Sequence, residues 1–145
     1  MAVLIDANVI VSFLLQSGKV DEAKDILRAV DDPVTILNVL EEVVYVGLSI
    51  INDSRGFRLR DQVRKGLNDD SRFFLRHLRS FVDDFRIRLV QPPDDLDLLF
   101  HTIDKYGLLP NDALIAATCQ HYGIIRIATF DSDFRRVDYL EIVKA

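Results

Sequence analysis

Several features of secreted and membrane proteins are missing from this sequence. There is one cysteine, Cys119, so no disulfide can form within the chain, which favours a reducing compartment and predicts a cytoplasmic protein. No apolar run approaches the roughly 20 residues of a membrane-spanning helix, and no basic stretch precedes the short apolar segment at the start. The six glycines and four prolines form no low-complexity segment among 145 residues. We therefore expect a single domain over residues 1–145 with no membrane association.

The motifs of several enzyme classes are also missing. The sequence has no glycine-rich phosphate loop and no serine nucleophile elbow. The three histidines, His77, His101 and His121, are scattered, so no zinc-type spacing of histidine and cysteine occurs. Carboxylates remain as the side chains most able to carry chemistry.

Short apolar runs alternate with segments of helical periodicity along the whole chain. The predicted strands cover residues 2–5, 34–36, 86–90, 124–129 and 140–143. The predicted helices cover residues 7–16, 20–30, 38–51, 57–67, 70–84, 95–106 and 111–122. This alternation predicts an α/β fold with a mainly parallel sheet. Asn38 is the predicted N-cap of the third helix, and Glu41, three residues later, would complete a capping box.

Charge is unevenly distributed along the chain. The net charge is −5, yet residues 55–88 contain ten Arg and Lys against five Asp, which gives +5 there and −10 elsewhere. This basic segment is either a solvated helical face or a surface that contacts the phosphates of a nucleic acid. The candidate RNA contacts are Arg58, Arg60, Arg64, Arg72, Arg76 and Arg79. The interleaved aromatic residues Phe57, Phe73, Phe74 and Phe81 are predicted to pack in the core rather than to stack on bases.

Four acidic residues stand apart from the others. Asp6 ends the first apolar strand, and Asp131 follows a late strand in "IATFDSDF". Asp112 opens a helix that is apolar on nearly every side, and Glu42 lies on a largely apolar helical face. Each acid alone has a structural explanation, such as a helix cap or a turn. Because the carboxyl ends of parallel strands meet at one edge, we expect at least two of them to converge, and a hard cation such as Mg²⁺ or Mn²⁺ would relieve their repulsion.

Taken together, these segments resemble the PIN domain family. The resemblance rests on "VLIDANVIV", "LEEVVYVGL", "LPNDALIAATC" and "IATFDSDF", which occur in the family's order over nearly the whole chain. It implies a three-layer fold with a five-stranded parallel sheet and a metal-dependent ribonuclease using Asp6, Asp112, Asp131 and one glutamate. Glu42, followed by Val-Val-Tyr, matches the family pattern better than Glu41. Asp133, Thr129, Asn8 and Glu41 are secondary candidates for the site.

The family resemblance also implies partners. Many small PIN proteins are toxins of the VapC kind that pair with an antitoxin protein, and many form homodimers. Others process or degrade cellular RNA, and a degenerate PIN scaffold would act only as a binding module. The sequence leaves toxin and processing nuclease open, and the implied cofactor is Mg²⁺ or Mn²⁺.

Overall fold

Five short parallel strands form the sheet at the centre of the protein. In a computed structural model that describes residues 1–144, the strands are β1 (Ala2–Ile5), β2 (Asp32–Thr35), β3 (Arg88–Leu89), β4 (Arg126–Ala128) and β5 (Glu141–Ile142). Their order across the sheet is β3-β2-β1-β4-β5, and every neighbouring pair is parallel. The predicted α/β class is confirmed, and β1 occupies the centre of the sheet.

Within residues 1–144, seven α-helices connect and cover the strands. They are α1 (Ala7–Leu14), α2 (Val20–Ala29), α3 (Leu37–Asn52), α4 (Gly56–Arg64), α5 (Asp69–Asp84), α6 (Leu96–Tyr106) and α7 (Pro110–Tyr122). A short 3₁₀ turn, Ser132–Arg136, follows β4. Crossovers between parallel strands are right-handed, so the return from β3 to β4 places α6 and α7 on the sheet face opposite α1 to α5. The result is a three-layer arrangement, with α1 packed between α2 and α3.

The predicted start of α3 is wrong. The helix begins at Leu37, its N-cap is Ile36, and no side chain caps its first turn. Ile36 is fully buried directly after β2, so the core fixes the point where the chain turns into the helix. Asn38 therefore lies inside the first turn, and Glu41 has no capping box to complete.

The core is apolar and closely packed on both faces of the sheet. Leu4 and Ile5 of β1 are fully buried, and burial raises the pKa of the Cys119 thiol in α7 to about 12, as expected for a core cysteine. Gly47 of α3 lies so close to Phe74 of α5 that a Cβ at this glycine would overlap the phenylalanine ring. The absence of a side chain at this glycine thus allows α3 and α5 to approach closely. No helix within residues 1–144 is long and apolar enough to cross a membrane.

Candidate metal centre at the carboxyl edge of the sheet

Asp6 lies at the centre of the carboxyl edge of the sheet. Its backbone N–H donates to the carbonyl of Ala128 (2.9 Å), which extends the pairing of β1 with β4 by one residue. Its carboxylate accepts hydrogen bonds from the N–H of Ala7 (2.8 Å) and from Thr129 Oγ1 (2.7 Å). Only 4% of Asp6 is exposed, and this burial raises its pKa although both hydrogen bonds act in the opposite direction.

The hydroxyl of Thr129 joins Asp6 to the loop that carries Asp131. While donating to Asp6, Thr129 Oγ1 accepts hydrogen bonds from Asn8 Nδ2 (3.2 Å) and from the N–H of Asp131 (3.0 Å). Asn8 Oδ1 also accepts a hydrogen bond from the N–H of Phe130 (3.0 Å). One donor and two acceptor positions of the hydroxyl are thus used. The network fixes the orientation of Asp6 and the path of the chain after β4.

Three carboxylates meet next to this network. One carboxylate oxygen each from Asp112, Asp131 and Asp133 lies within 4.8 Å of the other two. Asp112 lies in the first turn of α7, and Asp131 caps the 3₁₀ turn by accepting a hydrogen bond from the N–H of Asp133 (2.9 Å). Burial raises the pKa of Asp112 to about 7, and the negative charges of Asp6 and Asp131 contribute further to this rise.

Asp133 is one of the three clustered carboxylates, although the sequence alone made it only a secondary candidate for the site. It pairs with Arg136 (3.3 Å), whose guanidinium also donates to the carbonyl of Gly107 (2.9 Å). The short 3₁₀ turn brings residue 133 back beside residue 131. Spacing in the sequence alone does not reveal such a turn.

Glu42, and not Glu41, is the glutamate of α3 that faces the aspartates. Glu42 Oε2 accepts a hydrogen bond from Asn111 Nδ2 (3.1 Å), and its pKa is raised first by burial and then by the charge of Asp6. Glu41 instead borders a groove with Leu37, Asn38 and Leu89. Sequence reasoning missed Asn111 as a site residue, although its position directly before Asp112 in the first helical turn was a usable signal.

The five acids have few compensating charges. Within residues 1–144, Arg136 is the one basic residue that pairs with any of them, and Asp112 makes no side-chain hydrogen bond. Lys19 lies over the ring of Phe130 (4.8 Å) without pairing with an acid. The atoms that the five acids offer to a cation are carboxylate oxygens, which are the ligands preferred by hard divalent cations. The residues therefore fit a Mg²⁺ or Mn²⁺ site.

Within residues 1–144, none of the six candidate RNA-contacting arginines pairs with an acid of the site. Ten residues of α3 separate Glu42 from the end of that helix, a distance of about 15 Å at the helical rise, and α4 and α5 begin beyond this end. Arg72 pairs with Asp69 (3.4 Å) and Arg79 pairs with Asp83 (3.2 Å). The other four, which are exposed and unpaired with an acid within residues 1–144, are Arg58, Arg60, Arg64 and Arg76.

The prediction for the interleaved aromatic residues is half right. Phe74 and Phe81 are buried in the core as predicted. Phe57 and Phe73 are 75% and 61% exposed, so their predicted core packing is wrong. Both lie on helical faces turned to solvent, and Arg60 stacks over the Phe57 ring at 4.9 Å from its centroid.

Comparison with known proteins identifies the family. The model of the PIN domain family matches residues 3–140, which is nearly the whole chain. The chain therefore belongs to the PIN domain family, as its four acidic segments indicated.

Two curated relatives come from Methanocaldococcus jannaschii. Ribonuclease VapC2 is 32% identical over 148 aligned residues, which cover 98% of this chain and 93% of that protein. Ribonuclease VapC6 is 62% identical over 40 residues, which cover 28% of this chain and 26% of that protein.

Two solved structures share the fold. One is VapBC2 from Rickettsia felis bound to a DNA fragment from its promoter, with a TM-score of 0.66, 16% identity, and coverage of 99% of this chain and 98% of that chain. The other is VapC20 from Mycobacterium tuberculosis, a sarcin-ricin loop cleaving toxin, with a TM-score of 0.63, 16% identity and 99% coverage of both chains. At this level of identity the likeness concerns the fold.

Proposed function

We propose that this protein is a metal-dependent endoribonuclease that hydrolyses phosphodiester bonds in RNA. The observation that carries the proposal is the meeting of Asp112, Asp131 and Asp133 within 4.8 Å, beside Asp6 and Glu42 and with a single arginine for compensation. Membership of the PIN family and two relatives named ribonucleases support the same activity.

Mg²⁺ or Mn²⁺ is the proposed cofactor, held by Asp6, Glu42, Asp112 and Asp131, with Asp133 as a further ligand. The chemistry that such an ion would supply when bound is activation of a water molecule and stabilisation of the charge that develops on the phosphodiester during hydrolysis. The chain supplies the orientation: the Thr129 hydroxyl fixes the Asp6 carboxylate, and the Asn111 amide fixes that of Glu42. The Asp112 carboxylate has no such hydrogen bond within residues 1–144.

We further propose that the protein acts as a toxin that an antitoxin protein neutralises. The relatives named VapC and the shared fold with a VapBC structure support this role. No observation favours a processing nuclease outside such a pair, and a degenerate scaffold is disfavoured because every acid of the four motifs is present. Because RNA is the proposed substrate, the cytoplasm is the proposed site of action.

A homodimer is the proposed assembly, and α3 offers a face for it. Leu37, Leu40, Val44 and Leu48 form an apolar strip on the solvent side of α3, and Leu37 is 58% exposed. An isologous interface uses one patch on both subunits, so a self-complementary apolar strip suits it. Leu40→Lys and Val44→Lys should convert a dimer to monomers in light scattering. A monomeric wild-type protein would contradict this assignment.

Cleavage of a labelled single-stranded RNA tests the proposed activity. We expect cleavage with Mg²⁺ or Mn²⁺, none in EDTA, and little action on a matched DNA or on a phosphate monoester. For the variant Asp112→Asn, Asp97→Asn is a matched control, because Asp97 also lies in the first turn of a helix but is exposed and does not belong to the acidic group. RNA cleavage that persists in EDTA would refute the proposed chemistry.

A further inference from the structure

A groove runs along α3 and ends beside the first turn of α4. Its volume is about 640 Å³, and its lining includes Tyr45, Val46, Ser49 and Ile50 from α3. Arg55 and Arg58 close its far end. The mechanism proposed above uses none of these six residues.

The groove begins one helical turn beyond Glu42 of the acidic site. Tyr45 and Val46 are three and four residues after Glu42, so they lie on the same helical face as this carboxylate. Ser49 lies a further turn along, about 10 Å from Glu42 at the helical rise, and the helix ends about 15 Å away. Stacked nucleotides advance by about 3.4 Å each, so this length spans about three to five nucleotides of a single strand.

Charge and aromatic surface in the groove match a single nucleic-acid strand. Arg55 and Arg58 are exposed, and neither pairs with an acid in the part of the chain that the structure describes. Asp53 is the one acid among the lining residues. Tyr45 is 48% exposed, and its hydroxyl accepts a hydrogen bond from the N–H of Gly56 (3.1 Å), which ties the ring to the start of α4.

The two helices of the basic segment differ in where their arginines lie. Arg72, Arg76 and Arg79 lie on the face of α5 opposite its buried residues Phe74 and Leu78 and point away from the core. Two of these three form ion pairs with neighbours on the same helix. Arg55 and Arg58, in contrast, line a groove whose α3 wall begins one helical turn beyond Glu42.

We propose that this groove binds the RNA strand on one side of the scissile phosphodiester. Arg55 and Arg58 contact phosphates, and the anchored Tyr45 ring stacks on a base near the reacting bond. The proposal rests on the proposed ribonuclease function and assigns its substrate path. It also selects Arg55 and Arg58 over the arginines of α5 as RNA contacts.

Salt-dependent binding tests the phosphate contacts. A fluorescent single-stranded RNA is titrated by anisotropy without divalent metal, with wild-type protein, R55A/R58A and the control R76A/R79A, which removes the same charge from the outer face of α5. For R55A/R58A the slope of log K against log salt should become shallower by about 1.4, since each phosphate contact to a single strand contributes about 0.7. The control should keep the wild-type slope, and R55K/R58K should restore it. An equal decrease of the salt slope in R55A/R58A and in the control would overturn the assignment. No decrease in either variant would also overturn it, in favour of a protein segment as the occupant of the groove.

Tyrosine variants and substrate length separate this proposal from the activity itself. Tyr45→Ala should weaken RNA binding about 5- to 100-fold, whereas Tyr45→Phe keeps the ring and should bind nearly as the wild type does. R55A/R58A should cleave a long RNA more slowly and a dinucleotide at the wild-type rate. If the wild type cleaves no RNA, the proposed function fails while the binding slopes still test the groove. If it cleaves long RNA and R55A/R58A does so equally well, the groove assignment alone fails.

Discussion

The acidic edge of the sheet and the basic segment of α4 and α5 place charge in opposite ways. The acids at the edge are held by other residues: Asp6 is 4% exposed and bound by a hydroxyl and a backbone N–H, and Glu42 is bound by an amide. The arginines of α4 and α5 are exposed, and those of α5 pair mainly with neighbours one turn away.

The two regions therefore differ in the effect of their charges on the stability of the folded protein. Clustered, partly buried carboxylates raise one another's pKa values and persist only if something else compensates, such as a ligand. Exposed ion pairs on a helix contribute a few tenths of a kcal/mol and require no further explanation. Counting charges along the sequence makes the basic segment look like the functional region. The burial and the partners of each charge indicate instead that the functional region is the acidic edge.

Removing one carboxylate from the edge should have the largest effect. Loss of a residue that supports a metal ligand through a hydrogen bond lowers activity roughly 10–100-fold. Asp6→Asn and Asp112→Asn should each lower RNA cleavage by more than this, because each variant removes a proposed cation ligand directly. Single-turnover cleavage with a circular dichroism check of folding measures this effect. Wild-type rates in both variants would place the chemistry elsewhere.

A smaller loss of activity should follow when the carboxylate stays and its support is removed. Thr129→Val keeps the shape of the side chain but removes the hydroxyl that bonds to Asp6 and to the N–H of Asp131. We expect about a 10–100-fold loss of cleavage and a higher metal concentration for half-maximal rate. Thr129→Ser retains the hydroxyl and should recover most of the rate; failure of this recovery would show that the methyl group matters more than the hydrogen bond.

The stability of the metal-free protein should depend on pH through the acidic edge. The pKa values of Asp6, Glu42 and Asp112 are all raised in the folded state, that of Asp112 from 3.8 to about 7. Between about pH 4 and pH 7 the folded protein thus binds more protons than the unfolded chain, so its free energy of unfolding falls as the pH rises. Thermal unfolding in EDTA measures this decline.

The same experiment with an amide in place of one acid identifies its source. Asp112→Asn should raise the stability at pH 8 by about 1 kcal/mol, or roughly 3–5 °C in the midpoint of unfolding, and should flatten the decline with pH. Asp97→Asn, the exposed control, should do neither. An identical dependence of stability on pH in the wild type and in Asp112→Asn would mean that the charge of Asp112 does not destabilise the folded protein.

The smallest effect should come from the outer face of α5. Arg76→Ala removes an exposed arginine that makes no ion pair within residues 1–144 and should change the free energy of unfolding by less than about 0.5 kcal/mol. RNA cleavage should also be unchanged. A marked loss of cleavage would show that α5 belongs to the substrate surface and that α4 and α5 do not differ in this respect.

Sequence rules predicted those parts of the site that depend on strand ends. Asp6 and Asp131 follow β1 and β4, and these strands pair in parallel, so the two acids emerge together. These rules failed where a single contact in the folded protein determines the local geometry. The burial of Ile36 moved the start of α3, a 3₁₀ turn brought Asp133 beside Asp131, and Asn111 reaches Glu42 across two elements far apart in sequence. Such contacts arise only once the tertiary structure exists.

The hydrogen bond from Asp6 to the carbonyl of Ala128 has a consequence for the order of events during translation. Asp6 is synthesised before its partners Ala128 and Thr129, which lie more than 120 residues later in the sequence. A nascent chain that stops at α6 carries neither Asp112 nor Asp131 and leaves one side of β1 without a neighbour. We therefore expect the growing chain to be unable to cleave RNA, its own messenger included, until β4 has joined β1.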